Sequence, residues 1–272
     1  MYKPIIKYVL TAAVRDKILI TFFLFLLVAT SLASFLGGST VIEQDQFSLV
    51  YAAGSLRIIG AICLILFVCF YVRRAFDNKE VEFLLSKPVS RAGFVIGHAV
   101  AFALLAVFIG CVISAVVLLS SSPDIYGWLI WSLSIISECV IISIMAMFFA
   151  MVLSSASGSA LAGVGFYVLA RMMGVILGIA NLPSASLLNG ALTSVVNVIS
   201  IFIPRLDLMG QTNWLIYGRE ALQNYEADRF SSSFAQTVIE SLNVPSFIAI
   251  QSVFFIAFLV FCIVFDFSKK QF

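Results

Sequence analysis

Long apolar runs separated by short polar breaks occupy most of the chain, and only its start reads differently. In residues 1–17, Ile5, Ile6, Tyr8, Val9, Leu10 and Val14 recur three or four positions apart among Lys3, Lys7, Arg15 and Lys17. That spacing predicts an amphipathic helix lying on a membrane surface and leading into the first span. Beyond it the runs are apolar all round, which a helix tolerates only in a protein core or in lipid. Six runs approach or exceed the roughly 17–25 residues a membrane helix needs: residues 18–36, 56–72, 93–119, 128–153, 160–180 and 247–265.

The polar breaks between them are specific. Gly37, Gly38 and Ser39 end the first run, and Glu43, Gln44, Asp45 and Gln46 read as an acidic loop. Arg57 then falls at the entry edge of the second span. Ser120 to Asp124 reads as a turn containing Pro123, and Ser154 to Ser159 as a tight turn of small residues. Residues 181–246 read as one extracytoplasmic segment. Its apolar stretch 187–203 lies between Pro183 and Pro204 and carries Asn189, Thr193, Ser194 and Asn197. It is short for a span, and a crossing there would move Lys269 and Lys270 to the other side. It is therefore read as re-entrant or interfacial. Residues 211–243 read as an exposed helical segment with nearly balanced charge.

Composition agrees with this pattern. The 272 residues are 62% hydrophobic and 11% charged, with a mean hydropathy of +1.10. Soluble domains are about 45–50% apolar and about 25% charged. The expected fold is an all-α integral membrane protein with a single transmembrane domain. The net charge of +2 says less than its placement. With the N-terminus in the cytoplasm, Lys3, Lys7, Arg15, Lys17, Arg73, Arg74, Lys79, Lys87, Arg91, Lys269 and Lys270 all lie inside, as positive residues do. Both termini are thus expected in the cytoplasm, in a bacterial inner membrane. The first run is too long for a signal-peptide core and is read as an uncleaved span. No long basic run points to nucleic acid.

Charged groups inside spans mark function by default, because each costs about 2.5–3.5 kcal/mol at the bilayer centre on insertion scales. Glu138 and Arg171 lie near the middle of consecutive spans, at matching depth, and could pair. A structural ion pair and a substrate or gating role both remain open for them. His98, the only histidine, reads as an interfacial hydrogen-bonding group, since no partner ligand lies near it in sequence. The five cysteines form no CxxC pair and read as small hydrophobes in lipid. Ser157, Gly158, Ala160, Ala162, Gly163, Gly165, Gly174 and Gly178 give the fifth span a small-residue pattern suited to close helix packing or to a contact between copies. No catalytic, cofactor-binding or metal-binding set appears: HExxH, GxSxG and the GxxxxGK[ST] phosphate loop are all absent.

The most charged internal stretch, residues 73–91, carries Arg73, Arg74, Asp77, Lys79, Glu80, Glu82, Lys87 and Arg91 among Phe76, Val81, Phe83, Leu84 and Leu85. Charge and aromatic groups together suit a helix that docks into a partner's groove, a solvated loop being the plainer reading. Pro88 is expected to end that helix. The run Glu80-x-Glu82-Phe-Leu-Leu-Ser-Lys-Pro88-Val-Ser-Arg91, followed by Gly93 and Gly97, resembles the signature of ABC-2 type transporter permeases. The amphipathic start and the Phe202-Ile203-Pro204-Arg205-Leu206-Asp207-Leu208 run before the last span extend the resemblance over nearly the whole chain. The resemblance implies a permease subunit of an exporter, not itself an enzyme. It would work as a dimer, here most simply of identical copies, with two ATPase subunits that hold the ATP and Mg. An extracytoplasmic accessory protein is a further possible partner. Residues Arg73, Arg74, Phe76, Glu80, Glu82, Phe83, Leu84, Pro88 and Arg91 would contact the ATPase. An ion-coupled secondary transporter is the alternative, although the chain shows no clear internal repeat of the kind that class often carries.

Overall fold

A computed structural model of the protein describes residues 3–15, 17–38, 44–81, 90–120, 123–180, 187–217 and 244–269. These residues form helices α1 (Lys3–Arg15), α2 (Ile18–Gly38), α3 (Gln44–Asp77), α4 (Arg91–Ser120) and α5 (Ile125–Val152). They continue with α6 (Ala156–Ala180), α7 (Leu187–Phe202), α8 (Leu206–Gln211), a 3₁₀ helix (Thr212–Tyr217) and α9 (Val244–Lys269). The fold is an all-α integral membrane bundle, with no strand among the described residues. Helices α3, α4, α5, α6 and α9 are long and apolar enough to cross a membrane unaided. Helix α2 makes a sixth when taken with α1, to which it is bent by 57°.

The bend follows from the sequence. Helix α1 is amphipathic and buries Ile5, Val9 and Ala13, a face at four-residue spacing, mainly against α4, where Ile5 meets Gly97. Lys17 turns the chain at φ 52°, a left-handed conformation, and the apolar α2 then sets off against α3.

Helix α5 is the axis of the bundle. It packs on α3, α4, α6, α8, α9 and the 3₁₀ helix. In its most apolar stretch 72% of residues are buried, against 28% in α9. Helix α9 turns Val253, Phe254, Phe258, Phe261 and Phe265 outward. In a soluble protein such a surface would aggregate; here it is the surface that meets lipid. Lipid removes most of the hydrophobic drive for helix association, so close packing must hold the bundle. Gly163 shows how: a Cβ there would come within 2.9 Å of Ile65 on α3. Gly165, two residues on, faces open space. The small-residue pattern therefore serves internal packing at Ala160, Gly163 and Gly174, which are buried, and not at Gly165.

Interhelical bonds sort the bundle into two ends. At one, Tyr8 reaches Glu80 and Arg73 reaches the carbonyl of Leu153. At the other, the Asp124 amide donates to Ile216 O at 3.1 Å and Trp131 Nε1 donates to Asn213 Oδ1 at 2.8 Å. Asp124 also caps α5, its Oδ2 accepting from the Gly127 amide at 2.9 Å. Asp124→Ala is expected to cost about 1 kcal/mol, with faster hydrogen exchange confined to the first turn of α5. Unchanged exchange there would show the cap to be idle.

Two boundaries differ from expectation. Helix α3 begins at Gln44, so Gln44, Asp45 and Gln46 belong to a helix rather than a loop, and Arg57 lies inside it. After Asp77 the chain turns through Asn78 and Lys79, with Lys79 at φ 56°, before helical geometry resumes at Glu80. The continuous helix expected to run on from Arg73 is therefore broken there. Helix α7 has 16 residues, about 24 Å at the standard rise per residue, short of a hydrocarbon core about 30 Å thick.

Candidate functional site

Helices α3, α5, α6, α8 and the 3₁₀ helix converge on a buried polar network. Arg57 is wholly buried. Its Nη1 donates to Glu138 Oε2 at 3.0 Å and to the Met209 carbonyl at 2.5 Å. Its Nη2 donates to Ser134 Oγ at 3.3 Å and Thr212 Oγ1 at 3.1 Å. Both hydroxyls in turn donate to Met209 O, at 3.0 Å from Ser134 and 2.6 Å from Thr212. The Trp131 ring lies 5.8 Å from the guanidinium carbon, within cation–π range. One arginine thus ties three helices and the 3₁₀ segment together.

Glu138 is the hub on α5, with only 1% of its side chain exposed. Its other oxygen, Oε1, accepts from Tyr167 OH at 3.3 Å and lies 3.6 Å from Arg171 Nη1. Arg171 Nη1 also donates to the Leu206 carbonyl at 3.3 Å. The pairing of Glu138 with Arg171 expected from their matching depth therefore exists, but it is the looser of two. Arg57 is the tighter partner, and its placement at a span edge is corrected. Arg205 and Asp207, at the start of α8, form a separate two-pronged pair with a closest approach of 2.8 Å.

The local reasons are legible once the fold is known. Ser134 and Glu138 are four residues apart on α5, and Tyr167 and Arg171 four apart on α6, so each pair shares a helix face. Gly210 lets α8 come close: a Cβ there would overlap Arg171 Nη1 and lie 2.8 Å from its Cζ. Sequence reading missed Arg57 as a site residue, along with Tyr167, Ser134 and Thr212. The available signal was the run Leu49-Val50-Tyr51-Ala52-Ala53 ahead of Arg57, which places it inside a span.

His98 does not join this network. It is buried on α4, its Nδ1 3.0 Å from the Phe94 carbonyl one turn back. Its ring stands between Phe94, at 4.3 Å, and Phe102, at 6.2 Å. The expected interfacial hydrogen bond is therefore an intrahelical one inside an aromatic cluster.

The described parts of the segment 73–91, residues 73–81 and 90–91, lie at the opposite end. Arg73 Nη1 donates to Leu153 O at 3.1 Å, linking α3 to the end of α5, and its guanidinium sits 5.4 Å from the Phe76 ring. Arg91 Nη1 donates to Ser268 O at 3.0 Å, linking α4 to the end of α9. Tyr8 OH donates to Glu80 Oε2 at 3.2 Å, linking α1 to the segment itself. Burial and the adjacent Glu80 carboxylate push the Tyr8 phenol above its usual pKa. Arg74 is exposed beside them. Glu82, Phe83, Leu84, Leu85 and Pro88 lie outside the described residues.

Fold and site together define a class: a multi-pass helical membrane protein with a charged lock in its core and a basic, tethered segment at one end. No protein-family model matches the sequence, and no curated protein matches it.

Proposed function

We propose that the protein is the permease subunit of an ATP-binding cassette exporter of the ABC-2 type. Two copies would form the substrate pathway, and two separate ATPase subunits, carrying the ATP and Mg, would drive it through residues 73–91. Both termini would then face the cytoplasm of a bacterial inner membrane, as the Lys and Arg placement favours.

One observation carries this reading. The segment that resembles the family signature is flanked by bonds to distant helices: Tyr8 to Glu80, Arg73 to Leu153 and Arg91 to Ser268. A displacement of that segment would be passed to α1, α5 and α9 together, as an ATP-driven stroke requires.

The test is co-expression with an ATPase subunit encoded beside the protein. A complex that hydrolyses ATP is expected to copurify. Glu82→Lys and Phe83→Asp are expected to abolish transport while leaving the bundle folded. A chain that purifies alone, and transports equally well with either change, would falsify the reading. The buried Arg57, Glu138 and Arg171 charges also suit an ion-coupled transporter. Transport driven by a proton or sodium gradient without any ATPase would favour that second reading.

A further inference from the structure

The polar network is unbalanced. Arg57 and Arg171 bring two positive charges to the single carboxylate of Glu138, leaving one in excess among these groups. It is also rich in donors: two guanidiniums and the hydroxyls of Tyr167, Ser134 and Thr212 face one carboxylate and the carbonyls of Met209 and Leu206. A group that only accepts hydrogen bonds and carries negative charge would complete it.

Arg171 is where such a group can enter. Its side chain is 21% exposed, while those of Arg57 and Glu138 are sealed at 0% and 1%. The hydrogen bond and the ion pair that Arg171 makes inward both run through Nη1, while the face of its guanidinium lies against Gly210. Its Nε and Nη2 have no hydrogen-bond partner among the described residues. Those two N–H groups form one edge of the guanidinium, which matches a carboxylate or phosphate with two parallel bonds. The edge is held in place from behind, because Glu138 and the Leu206 carbonyl fix Nη1 and Gly210 makes room for the group. Val168 and Val175, three residues before and four after Arg171, are exposed beside it with Met172. The exposed α6 residues flanking Arg171 are therefore apolar.

We propose that the Nε–Nη2 edge of Arg171 binds the carboxylate or phosphate head of an amphiphile whose apolar body lies along α6. This deepens the transport reading by naming a substrate class, and it rests on that reading only for the word substrate. Its test needs no ATPase, so either can fail without the other.

The full-length protein in maltoside detergent would be titrated with dodecyl phosphate, inorganic phosphate and dodecyltrimethylammonium, and followed by tryptophan fluorescence and thermal unfolding. Dodecyl phosphate is expected to bind and raise the unfolding temperature, and the cationic amphiphile to do neither. Arg171→Gln is expected to weaken dodecyl phosphate at least about tenfold, the scale of one charged hydrogen bond lost. Arg171→Lys keeps the charge but not the two-pronged edge. It is expected to weaken binding too, and serves if the glutamine variant fails to fold. Inorganic phosphate binding as tightly as dodecyl phosphate would overturn the amphiphile assignment. No binding, or binding unchanged in both variants, would overturn the site.

Discussion

Arg57→Met is expected to lower stability by about 3–5 kcal/mol, the usual consequence of removing one partner of a buried ion pair. The change strips Glu138 Oε2, the Met209 carbonyl and the hydroxyls of Ser134 and Thr212 of a common donor. Arg171 cannot replace it, because it approaches the other carboxylate oxygen, and only to 3.6 Å. For a chain of this size the loss corresponds to roughly 10 °C in the unfolding midpoint, measured in detergent or in nanodiscs. Arg57→Lys is expected to rescue little, since one ammonium cannot reproduce two nitrogens serving four acceptors. Thr212→Val gives the scale for a neutral contact: interhelical hydrogen bonds in membranes average about 0.6 kcal/mol. If Arg57→Met costs no more than Thr212→Val, the charge is not what locks the segment in place.

The second large effect is expected at Gly127. A Cβ there would overlap the Leu215 carbonyl oxygen and come within 2.6 Å of its carbonyl carbon. Both atoms are backbone, so no side-chain rotation relieves the clash, and the 3₁₀ helix must move off α5. That shift would carry away the bond from Asp124 to Ile216 and the bond from Trp131 to Asn213. Gly127→Ala is therefore expected to cost about 3 kcal/mol or more, at or above the upper end of overpacking penalties. It should also raise hydrogen exchange across residues 212–217. Gly163→Ala is the control, because its Cβ would meet only side-chain atoms of Ile65. Equal, small effects at both positions would show that the 3₁₀ helix does not depend on close approach to α5.

These two positions also show where sequence reading stops. Glu138 and Arg171 stood out because a charge in an apolar run is costly wherever the run folds. Arg57 did not, because its meaning turned on where α3 begins. With the helix starting at Gln44 rather than near Leu56, the same residue passes from membrane edge to sealed core. Ser134 and Thr212 carry no signal of their own, since a Ser or Thr hydroxyl can bond to its own backbone, and Tyr167 is one more aromatic residue in an apolar run. Only the approach of α8 and the 3₁₀ helix to α5 gives Ser134 and Thr212 a common partner in the Met209 carbonyl, and only the packing of α6 on α5 brings Tyr167 to Glu138. The break at Lys79 was equally hidden, being a left-handed residue that is not glycine.

The sequence alone determined that the chain is helical and lives in lipid, because apolar runs of that length can satisfy their backbone hydrogen bonds in a membrane only as helices. It also determined the amphipathic α1, whose period is local, and the charged segment 73–91 as the stretch least at home in lipid. The tertiary structure decided which charges meet. Pairing among Arg57, Glu138 and Arg171 depends on helix depth and rotation and on a glycine-permitted approach of the α8 segment. None of these is encoded in the spacing of residues along one helix.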